Sequence, residues 1–143
     1  MGATVVPSSE VALELQNLHQ LYALLTDLGR TRELAALFTD DSVWDGNELG
    51  YGYSEGPEPI AERVTGRFKE AEPMVHMPGP LMFTAASDNE VETTSWCLAT
   101  RWTDGVMRPV IYFHYEDSMR KAADGTWRFA RRLLRRRFPE ADT

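Results

Sequence analysis

The chain has 143 residues, 43% hydrophobic and 26% charged, with a net charge of −7, three histidines and one cysteine. A single domain of this length can remove roughly 70% of its surface from water; a disulfide within the chain is excluded, and no Cys/His zinc set can be assembled. Arg131, Arg132, Arg135, Arg136 and Arg137 crowd the end and leave residues 1–130 at a net of −10, a body that repels nucleic acid and anionic membrane.

In chain order, MGATVVPSSE has no basic segment followed by an apolar run, and Val6 stands where a myristoylation signal wants Ser or Thr. With no run of membrane-spanning length either, a cytoplasmic location is expected. Ser8 or Ser9 can cap a first helix entering at Glu10, in which Val11, Leu15, Leu18, Leu21 or Tyr22, Leu25 and Leu28 recur at helical spacing until Gly29. A second short helix is predicted over Thr31 to Phe38. Thr39 to Pro59, rich in Gly, Asp and Pro, reads as a loop with short strands around Val43–Trp44 and Tyr51–Tyr53. Ile60, Val64 and Phe68 mark a third helix that fades by Glu72.

From Met74 the period changes to that of strands. Val75–His76–Met77, Leu81 to Ala86, Val91 to Trp102, Val106 to Met119 and Thr126 to about Arg137 are strand-like, most of them separated by SDNE, TDG and ADG turns. Three helices followed by four or five mostly antiparallel strands indicate one α+β domain over residues 1–143, its core over about 10–138. A strongly curved sheet over the helices would leave a concave pocket. The arginines of the last strand (131–137) read as an alternating face that neutralises the acidic surface.

Few side chains can carry acid–base chemistry near neutral pH. Asp27 sits at the negative end of the first helix, where an exposed carboxylate is disfavoured by up to about 1 kcal/mol. It is either a solvated helix-end residue, or one that bonds the following turn with Arg30 or Arg32 nearby, or a functional carboxylate. His76, in PMVHMPG, is either a satisfied core histidine or a base whose other nitrogen an Asp could hold. His19 reads as a surface or edge residue, and of His114 and Tyr115 the tyrosine is expected to face the concave side. Tyr22, five residues before Asp27, could reach the same pocket mouth. Trp44, Tyr53, Met74, Met77, Met82, Trp96 and Tyr115 could line an apolar cavity or be plain core. Arg101 is a candidate anion contact, and Cys97 reads as a small buried residue. Any metal would need carboxylate ligands, and no calcium-type loop appears.

The run TDLGRTRELAALFTDDSVWDG, one His about fifty residues later, the hairpin ending in YED and the run ADGTWRFARR together resemble a SnoaL-like domain of the nuclear transport factor 2-like superfamily. The resemblance spans about residues 10 to 138 and implies a cone-shaped α+β barrel of three N-terminal helices packed on a strongly curved, mostly antiparallel sheet. It lies nearest the branch that holds scytalone dehydratase and bile acid dehydratase. In that branch Asp27 and His76 match the catalytic dyad, Tyr22 matches the tyrosine of the bile acid enzyme, and Arg136 aligns with an arginine used there. Thr26 stands where scytalone dehydratase has a tyrosine, and Arg101 where it has a second histidine.

The resemblance implies a small cofactor-independent lyase, dehydratase-like, that abstracts a proton from a hydrophobic cyclic or polyketide-like substrate. Asp27, His76 and Tyr22 would be catalytic; Trp44, Tyr53, Met77, Trp96, Arg101, Tyr115 and Arg136 would contact substrate. An isomerase or cyclase using the same dyad, or a non-catalytic ligand-binding or assembly module, are the alternatives. Association through the open sheet face into a homodimer or homotrimer is expected, without nucleic-acid or membrane partners.

Overall fold

A computed structural model describes residues 6–66 and 73–139. Helix α1 (Ser9–Asp27) begins where the Ser8 hydroxyl accepts the Val11 N–H at 3.3 Å. It ends in a Schellman motif: Arg30 N–H bonds Leu25 O, Gly29 N–H bonds Thr26 O, and Gly29 takes φ +67°, a conformation open to glycine. That stop places Asp27 in the last helical turn. Leu15, Leu18, Tyr22 and Leu25 form the buried stripe, so Tyr22 rather than Leu21 faces the core.

Helix α2 (Thr31–Ala35) is shorter than expected, because Phe38 opens strand β1 (Phe38–Asp45) instead of closing the helix. The Leu37 carbonyl accepts the Phe129 N–H, and β1 then runs parallel to the last strand. Much of the predicted loop is therefore sheet, an arrangement set by a partner some ninety positions away. A 3-10 turn (Asn47–Leu49) and strand β2 (Tyr53–Glu55) follow, then α3 (Pro57–Gly66), which buries Ile60, Ala61 and Val64. The expected continuation of the third helix through Phe68 to Glu72 lies outside the described residues.

Strands β3 (Met74–Pro78), β4 (Met82–Ala86), β5 (Glu90–Thr103), β6 (Val106–Lys121) and β7 (Trp127–Arg136) follow the predicted runs closely. Among the described residues seven strands make one sheet rather than four or five, in the order β2-β1-β7-β6-β5-β3, with β4 also on β5. Pairing is antiparallel except for β1–β7. The sheet is strongly curled over the three helices but not closed. Strands β3 and β4 share one edge of β5 end to end, so β3 leaves an outward-facing edge to α1.

Two bulges set which side chains point into the concavity. One falls between Ala99 and Thr100 on β5 against Val110 of β6. The other makes Ala130 an extra residue on β7, between the pairs Met119↔Phe129 and Ser118↔Arg131. One inserted residue reverses the faces of all that follow. Phe129 is thus buried, Arg131 exposed, and Arg132 and Leu134 buried.

Candidate active site

Asp27 and His76 meet where the end of α1 lies against the edge of β3. One carboxylate oxygen of Asp27 accepts the His76 backbone N–H at 2.9 Å, and the other lies 2.5 Å from His76 Nδ1. The first bond serves an edge-strand N–H that has no neighbouring strand. The second makes Nδ1 the protonated nitrogen and puts the ring's lone pair on Nε2. The two side chains are 11% and 16% exposed for His76 and Asp27, enclosed but not sealed. A partner thus explains why a carboxylate stands at the unfavourable end of α1.

The imidazole lines a cavity of about 270 Å³. Tyr22, Thr26, Trp44, Arg101 and Tyr115 share its wall, together with Tyr51, Val64, Met74, Ile111, Phe113 and Leu134. Tyr22 and Thr26 are four residues apart and so occupy one face of α1. The Tyr22 hydroxyl accepts the Trp44 indole N–H at 3.0 Å. Burial pushes the Tyr22 phenol up to about 12, against the pull of Arg132, and burial raises Tyr115 as well. Both phenols are therefore hydrogen-bond donors at neutral pH. Burial likewise pushes Cys97 up to about 12, consistent with a small buried residue and not a thiolate nucleophile.

Several expected residues lie elsewhere. Tyr53 is 41% exposed and hydrogen-bonds Glu55 on the outer side of β2; Tyr51, two residues earlier, lines the cavity instead. Met77 is exposed because alternation along β3 turns it away from His76, and Met82 is exposed on β4. Trp96 stands on the outer face, stacked on Tyr112. Arg136 reaches out to the Glu48 carbonyl at 2.8 Å. None of these five lines the cavity. Tyr115 does, as alternation with His114 suggested.

His19 and Arg132 depart furthest from their sequence reading. Both are fully buried. Arg132 grips Asp117 through Nε and Nη2 at 2.8 Å each and donates from Nη2 to His19 Nδ1 at 2.7 Å; His19 Nε2 donates to the Gly79 carbonyl. The guanidinium carbon lies 3.7 Å from the Tyr115 ring centre and 4.3 Å from that of Tyr22. Burial alone would lower the Arg132 pKa, but the Asp117 carboxylate outweighs it and holds the guanidinium more firmly protonated than usual. Burial, and next the Arg132 charge, depress His19 to about 3, so it stays a neutral acceptor. This cluster braces the two phenols of the cavity from behind. Strict alternation from Trp127 would have put Arg131 inside and Arg132 outside, and the Ala130 bulge exchanges them.

A strongly curled sheet over three helices, enclosing an apolar cavity with a few polar groups, defines the class of small cone-fold proteins. Residues 7–133 match the SnoaL-like domain model, and the chain belongs to that family. No curated protein matches the chain. Similar solved structures include an NTF2-like protein with a cystatin-like fold from Novosphingobium aromaticivorans, 22% identical over 90% of this chain and 82% of its own, with a TM-score of 0.78. A candidate scytalone dehydratase from the same organism is 24% identical over 85% of this chain and 80% of its own (TM-score 0.71). Aln2 from a Streptomyces species is 21% identical over 92% of this chain and 94% of its own (TM-score 0.77). At these identities the likeness is one of fold, and function must be argued from the site.

Proposed function

We propose that the protein is a cofactor-independent enzyme that removes a proton from a hydrophobic cyclic or polyketide-like substrate, with His76 as the base. The observation that carries this reading is the double engagement of Asp27 with the backbone N–H and Nδ1 of His76, with the ring in the cavity wall. Asp27 holds the tautomer with a basic Nε2 and stabilises the imidazolium formed when that nitrogen takes a proton. The electron pair of the broken C–H bond moves into an adjacent carbonyl as an enolate. Tyr22, a protonated phenol whose oxygen already accepts from Trp44, donates a hydrogen bond toward that oxygen or toward a departing hydroxyl, keeping its proton. Loss of hydroxide, taken off as water with the imidazolium proton, gives a dehydratase. Return of the proton to another carbon gives an isomerase.

The candidate scytalone dehydratase among the similar folds supports the first outcome. The test is deuterium exchange of an enolisable cyclic ketone, 2-tetralone, followed by NMR in D2O. The wild type should exchange the α-protons above the buffer rate, and His76→Ala and Asp27→Asn should each lose about 10²–10⁴-fold of that acceleration. Wild-type rates in both variants would leave the dyad without a catalytic role.

A further inference from the structure

Two buried polar atoms of the cavity wall have no hydrogen-bond partner among the described residues. The Thr26 hydroxyl is buried, its residue 2% exposed, and makes no hydrogen bond; the Arg101 Nε is buried and also unpaired. Arg101 has no carboxylate within 4.0 Å among the described residues, and its Nη2 makes a weak contact to Met74 Sδ at 3.8 Å. A buried donor without an acceptor costs about 1–3 kcal/mol, and a guanidinium at the edge of an apolar cavity costs more without an anion. In the wall of a cavity, a ligand is one partner that can satisfy such a group, whereas the buried Ser42, Thr93, Ser95 and Arg132 atoms that also lack one lie outside the cavity lining.

Their placement defines the ligand. Arg101 pairs with Met74 and His76 with Ala99, so Arg101 is the diagonal cross-strand neighbour of His76, and both line the same cavity. Thr26 is adjacent to Asp27 on α1. Both orphan donors therefore stand beside the dyad, whereas Val64, Ile111, Phe113 and Leu134 supply apolar wall. Because the whole chain is net negative, an anion gains nothing from the global field and must be held by this local cation.

We propose that the ligand of this cavity is a small cyclic carboxylate: an apolar ring system bearing one carboxylate whose oxygens accept from Arg101 Nε–H and Thr26 Oγ1–H. This deepens the proton-transfer reading and rests on it for the identity of the cavity as the substrate site. Bound in this way, the carboxylate anchors the ring with its neighbouring carbons beside His76.

Calorimetry with two near-isosteric probes, 2-naphthoate and 2-naphthamide, at pH 8 tests it. The wild type should bind the acid at least about tenfold tighter than the amide, the size of a charge-assisted pair. Arg101→Met should bring the two probes within about twofold, with a wild-type circular dichroism spectrum and unfolding transition certifying the fold. Arg101→Lys should keep part of the preference, and Thr26→Val should lose part of it. Equal binding of acid and amide by the wild type, binding of neither up to millimolar concentration, or a tenfold preference surviving in Arg101→Met overturns the proposal. The two readings fail separately. If the preference is absent but His76→Ala still abolishes exchange, the ligand class is wrong and the dyad stands. If the preference is kept while the dyad variants exchange at wild-type rates, the carboxylate site stands and the dyad has no catalytic role.

Discussion

In two places a histidine and an aspartate belong to one polar cluster, joined directly in one and through an arginine in the other. At the cavity, Asp27 touches His76 directly, both side chains are slightly open, and no arginine stands between them. In the core, Arg132 is inserted between Asp117 and His19, all three are sealed, and the guanidinium lies on the rings of Tyr22 and Tyr115. The carboxylate of the first arrangement holds its imidazole through Nδ1 and the backbone N–H. In the second, the carboxylate is consumed by the arginine, and the imidazole is driven toward the neutral form. Residue type alone does not confer chemistry; access and the sign of the nearest charge do.

Breaking the core cluster should have the largest effect. Asp117→Ala strands a buried guanidinium and should cost about 3–5 kcal/mol in urea unfolding, whereas replacing the pair together with apolar residues of similar volume should cost much less. If the single and double replacements destabilise equally, the ion pair does not hold the core. Next come the cavity variants. His76→Ala should remove most of the exchange activity while shifting stability by only about 1 kcal/mol, the reverse of Asp117→Ala.

The pH dependence separates the two histidines further. His19 titrates near 3 in the folded protein and near 6.5 when unfolded, so the unfolded chain binds the proton first. Stability from His19 is therefore complete above about pH 6.5 and is lost as pH falls toward 3. His19→Gln should flatten the decline between pH 7 and pH 5 in unfolding curves; an unchanged slope would place the acid sensitivity elsewhere. The smallest effect is expected at Tyr53. Its phenol hydrogen-bonds Glu55 outside the cavity, and Tyr53→Phe should leave probe binding and exchange within about twofold of wild type.

Much of the cavity dyad was legible in the sequence because its signals are local. Gly29 announces the end of α1, which makes Asp27 a carboxylate at the wrong pole of a helix, and His76 is the histidine set in an apolar strand. Strand alternation also sent Tyr115 inward. The core cluster was not legible. Its arginine belongs to a run that reads as surface, and a single bulge at Ala130 decides which member turns inward. Tyr53, Met77 and Trp96 were misplaced because aromatic and thioether side chains suit either face of a curled sheet, and only register separates them. Thr26 gave no signal beyond its place next to Asp27, where the resembled dehydratase has a tyrosine.

By itself, then, the sequence determined the first helix and the long hairpin, because capping, glycine stops and hydrophobic period act over a few residues, and the candidate base came from the resemblance. Tertiary structure decided the rest. It added β1 to the sheet through a parallel partner on β7, inverted the faces of β7 at Ala130, and set Thr26 and Arg101 unpaired beside His76. Each of these depends on which distant strands meet and in what register, and a shift of one residue in that register exchanges inside for outside.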